Sequence, residues 1–175
     1  SEGFESFELR VDHQNINTRE FGTPKSLVRG VIAEFAALSL KVGGFTAHVT
    51  NTLPVGVGLS SSAAFGVLIG KMLSELFNDG RGEPIVIARA AMQAENKYFG
   101  KPCGLMSQLT IALGHTVYAD FKTGEIQPIE ANFRDMGYAL CLTDTGGSHA
   151  GLGTSYARIP ADMVYIANLF DKGVL

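Results

Sequence analysis

The chain has 175 residues, 21 of them glycine, and a formal net charge of −3. Glycine is well above its usual ~7% share, and charged residues, at 18%, fall below the usual ~25%. This balance excludes a disordered tail, which needs low hydrophobicity and high net charge, and a general nucleic-acid binder, which is strongly basic. No window approaches the ~20 apolar residues of a membrane span. The opening SEGFESFELR has no basic region leading into an apolar run, so no signal peptide is expected. Cys103 and Cys141 offer neither a disulfide framework nor metal-ligand spacing. The length suits one domain, and a soluble cytoplasmic protein is the default expectation.

In chain order, Phe7, Leu9 and Val11 alternate with Glu8 and Arg10, which predicts a half-buried strand over Phe4 to Val11. Thr23-Pro24 has the form of a helix start. Leu27, Val28, Val31, Ile32, Phe35 and Leu38 follow at helical spacing, and Gly43-Gly44 is the expected stop. Alternation from Phe45 to Leu53 predicts a second strand. A glycine-rich loop, then Ser60-Ser61-Ser62, leads into a buried helix marked by Phe65, Leu68, Ile69, Met72, Leu73 and Leu76. Asn78 to Gly82 is a turn by composition. Pro84 opens a helix to about Phe99, Gly100 to Gly104 breaks it, and Leu105 to Leu113 forms a short helix. Strands are expected over Thr116 to Phe121 and Tyr138 to Thr143, with Lys122 to Glu125 as a turn. A polar, glycine-rich stretch from Asp144 to Ser155 precedes a last helix from Pro160 to about Asp171. The mixed order predicts an α+β fold.

Chemistry concentrates at PVGVGLSSSAA, residues 54 to 64. Gly56 and Gly58 allow positive φ and close approach of the backbone to a ligand. The helix behind them presents unpaired N–H groups and the positive end of its dipole, a site for phosphate. A hydroxyl among the three serines can ligate Mg²⁺. The bland alternative is a glycine-rich turn with a serine cap. The segment lacks the G-x-x-x-x-G-K-[ST] of a P-loop, and Ser61 stands where a dinucleotide fingerprint needs Gly or Ala.

Glu95 is the second signal. At about 100° per residue it falls on the side of Ala88, Ala91, Met92 and Phe99, inside an apolar stripe. A carboxylate there must be satisfied. Either a metal ion shared with a loop serine or a lysine or arginine from elsewhere would serve, and the spacing does not choose. The segment from Lys101 to Gln108 places Gly104 before a helix; alone it is a plain helix connection. Asp144-Thr145-Gly146 matches the tripeptide of aspartic proteases, but two facing aspartates are required there and the helices contradict that fold. The four histidines show no ligand spacing.

PVGVGLSSSAA resembles the second motif of the GHMP kinases, P-x-G-x-G-L-x-S-S-A. Two further segments, AMQAENKYFGKPCGLM and DTGGSHAGLGTSYARIPADM, resemble galactokinases in particular. The resemblance covers most of the chain, from Phe45 to Met163. It implies the family's α+β N-terminal lobe (ribosomal protein S5 domain 2-like) over residues 1–143, and the start of a C-terminal α+β lobe over 144–175. It implies that Pro54, Gly56, Gly58, Leu59, Ser60, Ser61, Ser62 and Ala63 surround the phosphates of ATP. Ser62 and Glu95 would hold Mg²⁺, Gly104 would meet the sugar through its backbone, and Tyr156 would bond a galactose hydroxyl. The implied partners are ATP and galactose or a similar sugar, with no nucleic acid and no membrane. Three departures stand out. Ser107 occupies the place of the family's catalytic Asp, the first motif G-R-V-N-L-I-G-E-H-T-D-Y is absent, and so is the glycine-rich third motif. The resemblance therefore implies an incomplete galactokinase with impaired turnover, or a sugar- or nucleotide-binding sensor on the same fold.

Overall fold

The structure is a computed structural model that describes residues 6–53, 56–143, 145–147 and 153–173. Helix α1 spans Pro24–Ala37, and its start is set by local chemistry. The Thr23 hydroxyl accepts from the Ser26 N–H at 3.3 Å, and Pro24 fills the first turn, where no N–H is needed. The helix stops at Ala37, ahead of the expected Gly43-Gly44. Ser39 takes the left-handed conformation there, with φ +60°. Its N–H bonds to the Ala36 carbonyl (2.9 Å) and the Leu40 N–H to the Phe35 carbonyl (3.0 Å). That pair of bonds is a Schellman stop built on a serine.

Helices α2 (Ser61–Phe77) and α3 (Pro84–Ala94) follow, joined by the predicted turn. Ser74 organises that turn: its hydroxyl accepts from the Gly82 N–H at 2.8 Å and its carbonyl from the Gly80 N–H at 3.0 Å. The core lies between α1, α2 and α3, around Val31, Phe35, Ile69, Leu73 and Ile87. Ala88, Ala90, Ala91 and Ala94 of α3 are all buried, so α3 is covered by both neighbours. Small residues make the crossings possible. A Cβ on Gly30 of α1 would lie 2.7 Å from Ala94 Cβ, and one on Gly70 of α2 would lie 2.8 Å from Ile87 Cγ2. Part of the glycine excess is therefore helix packing rather than ligand chemistry.

After Ala94 the winding changes. Residues Glu95–Phe99 form a π-helical turn, closed by Gly100 in the left-handed region at φ +76°. The N–H groups of Gly100 and Lys101 both bond to the Glu95 carbonyl. The spacing predicted one continuous α-helix to Phe99. The wider winding breaks its phase, and such turns recur at functional sites. Helix α4, Met106–Leu113, packs beside α2 and α3.

Strands β1 (Val117–Asp120) and β2 (Glu125–Pro128) form an antiparallel hairpin, with Val117 opposite Pro128 and Asp120 opposite Glu125. The Asp120 carboxylate accepts from the Lys122 and Thr123 N–H groups at 2.8 and 3.2 Å, which holds its carboxyl below the ordinary range. Helix α5, Gly153–Leu169, closes the described chain.

Further expectations fail. No strand forms in 6–11, in 45–53 or in 138–143 among the described residues, and β2 begins at the end of the expected turn, over residues for which no strand was expected. A strand needs a partner to bond with, and none of the described residues pairs with these three segments. Residues 1–5 lie outside the described residues. The last helix begins at Gly153 rather than Pro160, so Pro160 sits inside it. Its missing N–H omits one bond of the ladder, and an Arg158–Asp162 ion pair of 3.1 Å spans the gap.

Candidate functional site

The site forms where the start of α2, the π turn and the start of α4 meet. Gly56 and Gly58 have φ of +82° and +85°, the region where glycine is favoured, as the loop motif requires. Ser60 follows at φ +55° and makes no side-chain cap to α2. Its hydroxyl instead shares a 2.9 Å hydrogen bond with the Ser107 hydroxyl of α4. The first N–H groups of α2 have no partner within the helix, which leaves the amide-rich helix mouth beside the loop.

Ser62, the second residue of α2, donates to Glu95 Oε1 at 2.6 Å. Glu95 is 2% exposed. Its carboxylate is held asymmetrically. Gln108, also buried, donates to Oε2 at 2.8 Å. Oε1 faces Ser62 and the Lys101 ammonium, whose Nζ lies 3.1 Å from Glu95 Oε1 and 3.2 Å from Ser62 Oγ. The alternative of a nearby lysine is thus realised by Lys101. Hydroxyl and carboxylate converge on one positive charge, and hard divalent cations favour that oxygen donor set. The two residues therefore suit a Mg²⁺ ion, whose other ligands would have to come from a bound phosphate and water.

These groups border a cavity of about 260 Å³ lined by Ser60, Ser62, Glu95, Lys101, Gly104 and Ser107, among others. Gly104 has open space where a Cβ would sit. The Asn96 side chain fixes the approach to it, accepting from the Cys103 N–H (2.8 Å) and donating to the Cys103 carbonyl (3.1 Å). Burial, aided by the Glu95 charge, pushes the Cys103 thiol up to about 11. Gln108 Oε1 is buried and has no hydrogen-bond partner in the structure.

Of the residues singled out in the sequence, the fold brings Ser60, Ser62, Ala63, Glu95, Gly104 and Ser107 to one cavity. Leu59 and Ser61 are half-buried beside it in sequence, and Pro54 lies outside the described residues. Tyr156 lies on α5 and is not among the residues lining the cavity. Lys101 and Gln108 carry no role in the sequence patterns, yet both bind Glu95. The available signal for Lys101 was Gly100, a helix-ending glycine that lets the next residue turn back.

Residues 26–115 match the family described as GHMP kinases N terminal domain. The chain is also similar to curated galactokinases. The chain is 38% identical to galactokinase of Clostridium tetani over 49% of its own length and 22% of that protein's. It is 33% identical to galactokinase of Thermotoga maritima over 83% of its length and 41% of that protein's. It is 35% identical to galactokinase of Canis lupus familiaris over 78% of its length and 34% of that protein's. The chain thus spans between 22% and 41% of the length of these relatives. Among the described residues no helix is long and apolar enough to cross a membrane.

Proposed function

The chain belongs to the GHMP kinase family, and on that premise we propose that it carries the phosphate-binding part of a galactokinase-like sugar kinase. The reaction is transfer of the γ-phosphoryl group of ATP to the anomeric hydroxyl of galactose. Residues 144–175 would begin the second lobe. The observation that carries the reading is the convergence of Ser62 Oγ and Glu95 Oε1 on one cationic position, beside a loop with two glycines at positive φ.

Phosphoryl transfer is mostly positioning and charge neutralisation. Gly56 to Ser62 would cradle the phosphates with backbone N–H groups. Ser62 and Glu95 would hold Mg²⁺, which offsets charge on the phosphate oxygens when bound. Gln108 fixes Glu95 Oε2, so the carboxylate keeps Oε1 turned to the site. Gly104 would meet the sugar through its backbone, and Tyr156 would bond a sugar hydroxyl.

Ser107 limits the chemistry. A hydroxyl neither takes a proton at neutral pH nor holds a negative charge, and this one is engaged with Ser60. Positioned acid–base groups contribute about 10²- to 10⁴-fold, so turnover should fall well below that of a galactokinase with Asp at this place. Coupled ADP release with galactose and Mg·ATP tests this. Turnover equal to such an enzyme contradicts the impairment, and a Ser107→Asp variant should raise the rate.

A second reading is a non-catalytic sugar or nucleotide sensor. Glu95 is the only carboxylate among the described residues lining the cavity, which favours it. Calorimetric binding of galactose and ATP without ADP release, unchanged in Ser107→Asp, would select the sensor.

A further inference from the structure

We propose that Lys101 is a built-in competitor for the divalent cation: its ammonium and the ion claim the same two oxygens, Ser62 Oγ and Glu95 Oε1. This rests on the reading of Ser62 and Glu95 as the metal pair. Lys101 Nζ sits 3.2 and 3.1 Å from those atoms, and Gln108 already occupies Glu95 Oε2. Oε1 is therefore the face that either cation must use. Glu95 is buried, and a buried carboxylate without a counter-charge is costly. Lys101 supplies that charge whenever the ion is not there. Its side chain is 37% exposed, and its flexible stem can swing the ammonium into water. The π turn and the left-handed Gly100 deliver Lys101 to this place, so the competition is a product of the local winding. Binding of the ion then exchanges one positive charge for another at Glu95. Glu95 keeps a counter-charge in both conditions, and affinity for the ion is reduced by the strength of the Lys101 contacts.

The test is Mn²⁺ binding in the presence of ATP, followed by electron paramagnetic resonance, to the full chain and to Lys101→Met, Lys101→Arg and Glu95→Gln. Charge-assisted contacts of this kind correspond to about tenfold in a binding constant. Lys101→Met should bind Mn²⁺ about tenfold more tightly than the unsubstituted chain, Lys101→Arg should stay near it, and Glu95→Gln should lose the site. Thermal unfolding adds a second readout. Lys101→Met should melt lower than the unsubstituted chain without Mn²⁺ and show the larger rise when Mn²⁺ is added. Equal Mn²⁺ affinity in the chain and Lys101→Met, with loss in Glu95→Gln, overturns the competition and leaves the metal pair standing. Mn²⁺ binding that ignores Glu95→Gln, or no binding to any of the proteins, overturns the metal pair and the competition with it.

Discussion

Helices α2 and α5 have the same length, 17 residues each, and both carry apolar side chains along their run. α2 buries one face, although Leu68 and Leu76, expected to be buried, are 42% and 55% exposed, whereas α5 buries almost nothing. Leu73 of α2 is 0% exposed, and Leu169 of α5 is 65% exposed. The contrast extends to the regions around them. From Pro24 to Leu113 the apolar faces of four helices close on one core, with Gly30 and Gly70 letting the backbones approach. Beyond Val117, Tyr138, Leu140 and Leu142 are exposed, as are Ile159, Met163, Val164, Tyr165 and Ile166. Ala167 is the only buried residue among the described ones there. Periodicity states which face of an element is apolar. Whether that face is covered depends on a second element with a matching surface. The cavity residues from Ser60 to Gln108 belong to the covered region, where Glu95 and Gln108 are buried, whereas Tyr156 lies on the exposed α5.

Truncation of Phe35 should separate the two regions most strongly. Phe35→Ala removes a ring at 0% exposure from the centre of the core and should cost about 3–5 kcal/mol. Leu169→Ala should change stability by no more than about 0.5 kcal/mol. Urea unfolding measures both, and similar losses at the two positions would break the contrast. Smaller in size is the effect of adding one methyl. Gly30→Ala places a Cβ 2.7 Å from Ala94 Cβ and 2.9 Å from its Cα, so backbone must move. The expected loss is about 1–3 kcal/mol. Gly104→Ala, with open space at the cavity, should stay within about 0.5 kcal/mol. A tolerated Gly30→Ala would show that α1 and α3 are less closely held than their contacts indicate.

The two cysteines give the mildest comparison. Cys141 is exposed, whereas Cys103 is partly buried beside Glu95. The thiolate is the reactive form, so iodoacetamide at pH 8 should modify Cys141 well before Cys103. The folded protein keeps the Cys103 proton up to about 11, above the ordinary thiol value of 9.0. Between these values the folded chain binds more protons than the unfolded one. Its contribution is therefore whole below about pH 9 and declines as pH rises toward 11. Equal labelling of the two cysteines at pH 8, or stability rising across that window, would contradict the burial of this thiol.

Features fixed by near neighbours were legible in the sequence. Thr23-Pro24 announced α1, and Gly56 and Gly58 announced a loop with positive φ, because capping and backbone conformation are local matters. Glu95 was legible as a carboxylate on an apolar stripe. Its partner was not, because uniform helical phase ends at Glu95, where the π turn begins. The stop of α1 escaped for a related reason: a serine at φ +60° does the work usually given to glycine. Three expected strands failed because alternation describes one strand and a ladder needs two. Arg29 shows the same limit from the polar side. It is buried on the α1 stripe, where Glu20 takes two of its N–H groups at 3.0 and 3.1 Å and the His13 carbonyl accepts a third. Only the fold of residues 13–20 over α1 makes that position tolerable.

On the proposed reading, Ser62 and Glu95 form the metal-dependent half of a nucleotide site. Calorimetric titration of Mg·ATP into the chain and into Glu95→Gln, both with unchanged circular dichroism, tests it most directly. The prediction is that the chain binds Mg·ATP and that Glu95→Gln weakens this about tenfold or more, with little change for ATP without Mg²⁺. Equal Mg·ATP affinity in the two proteins, or none in either, would contradict it.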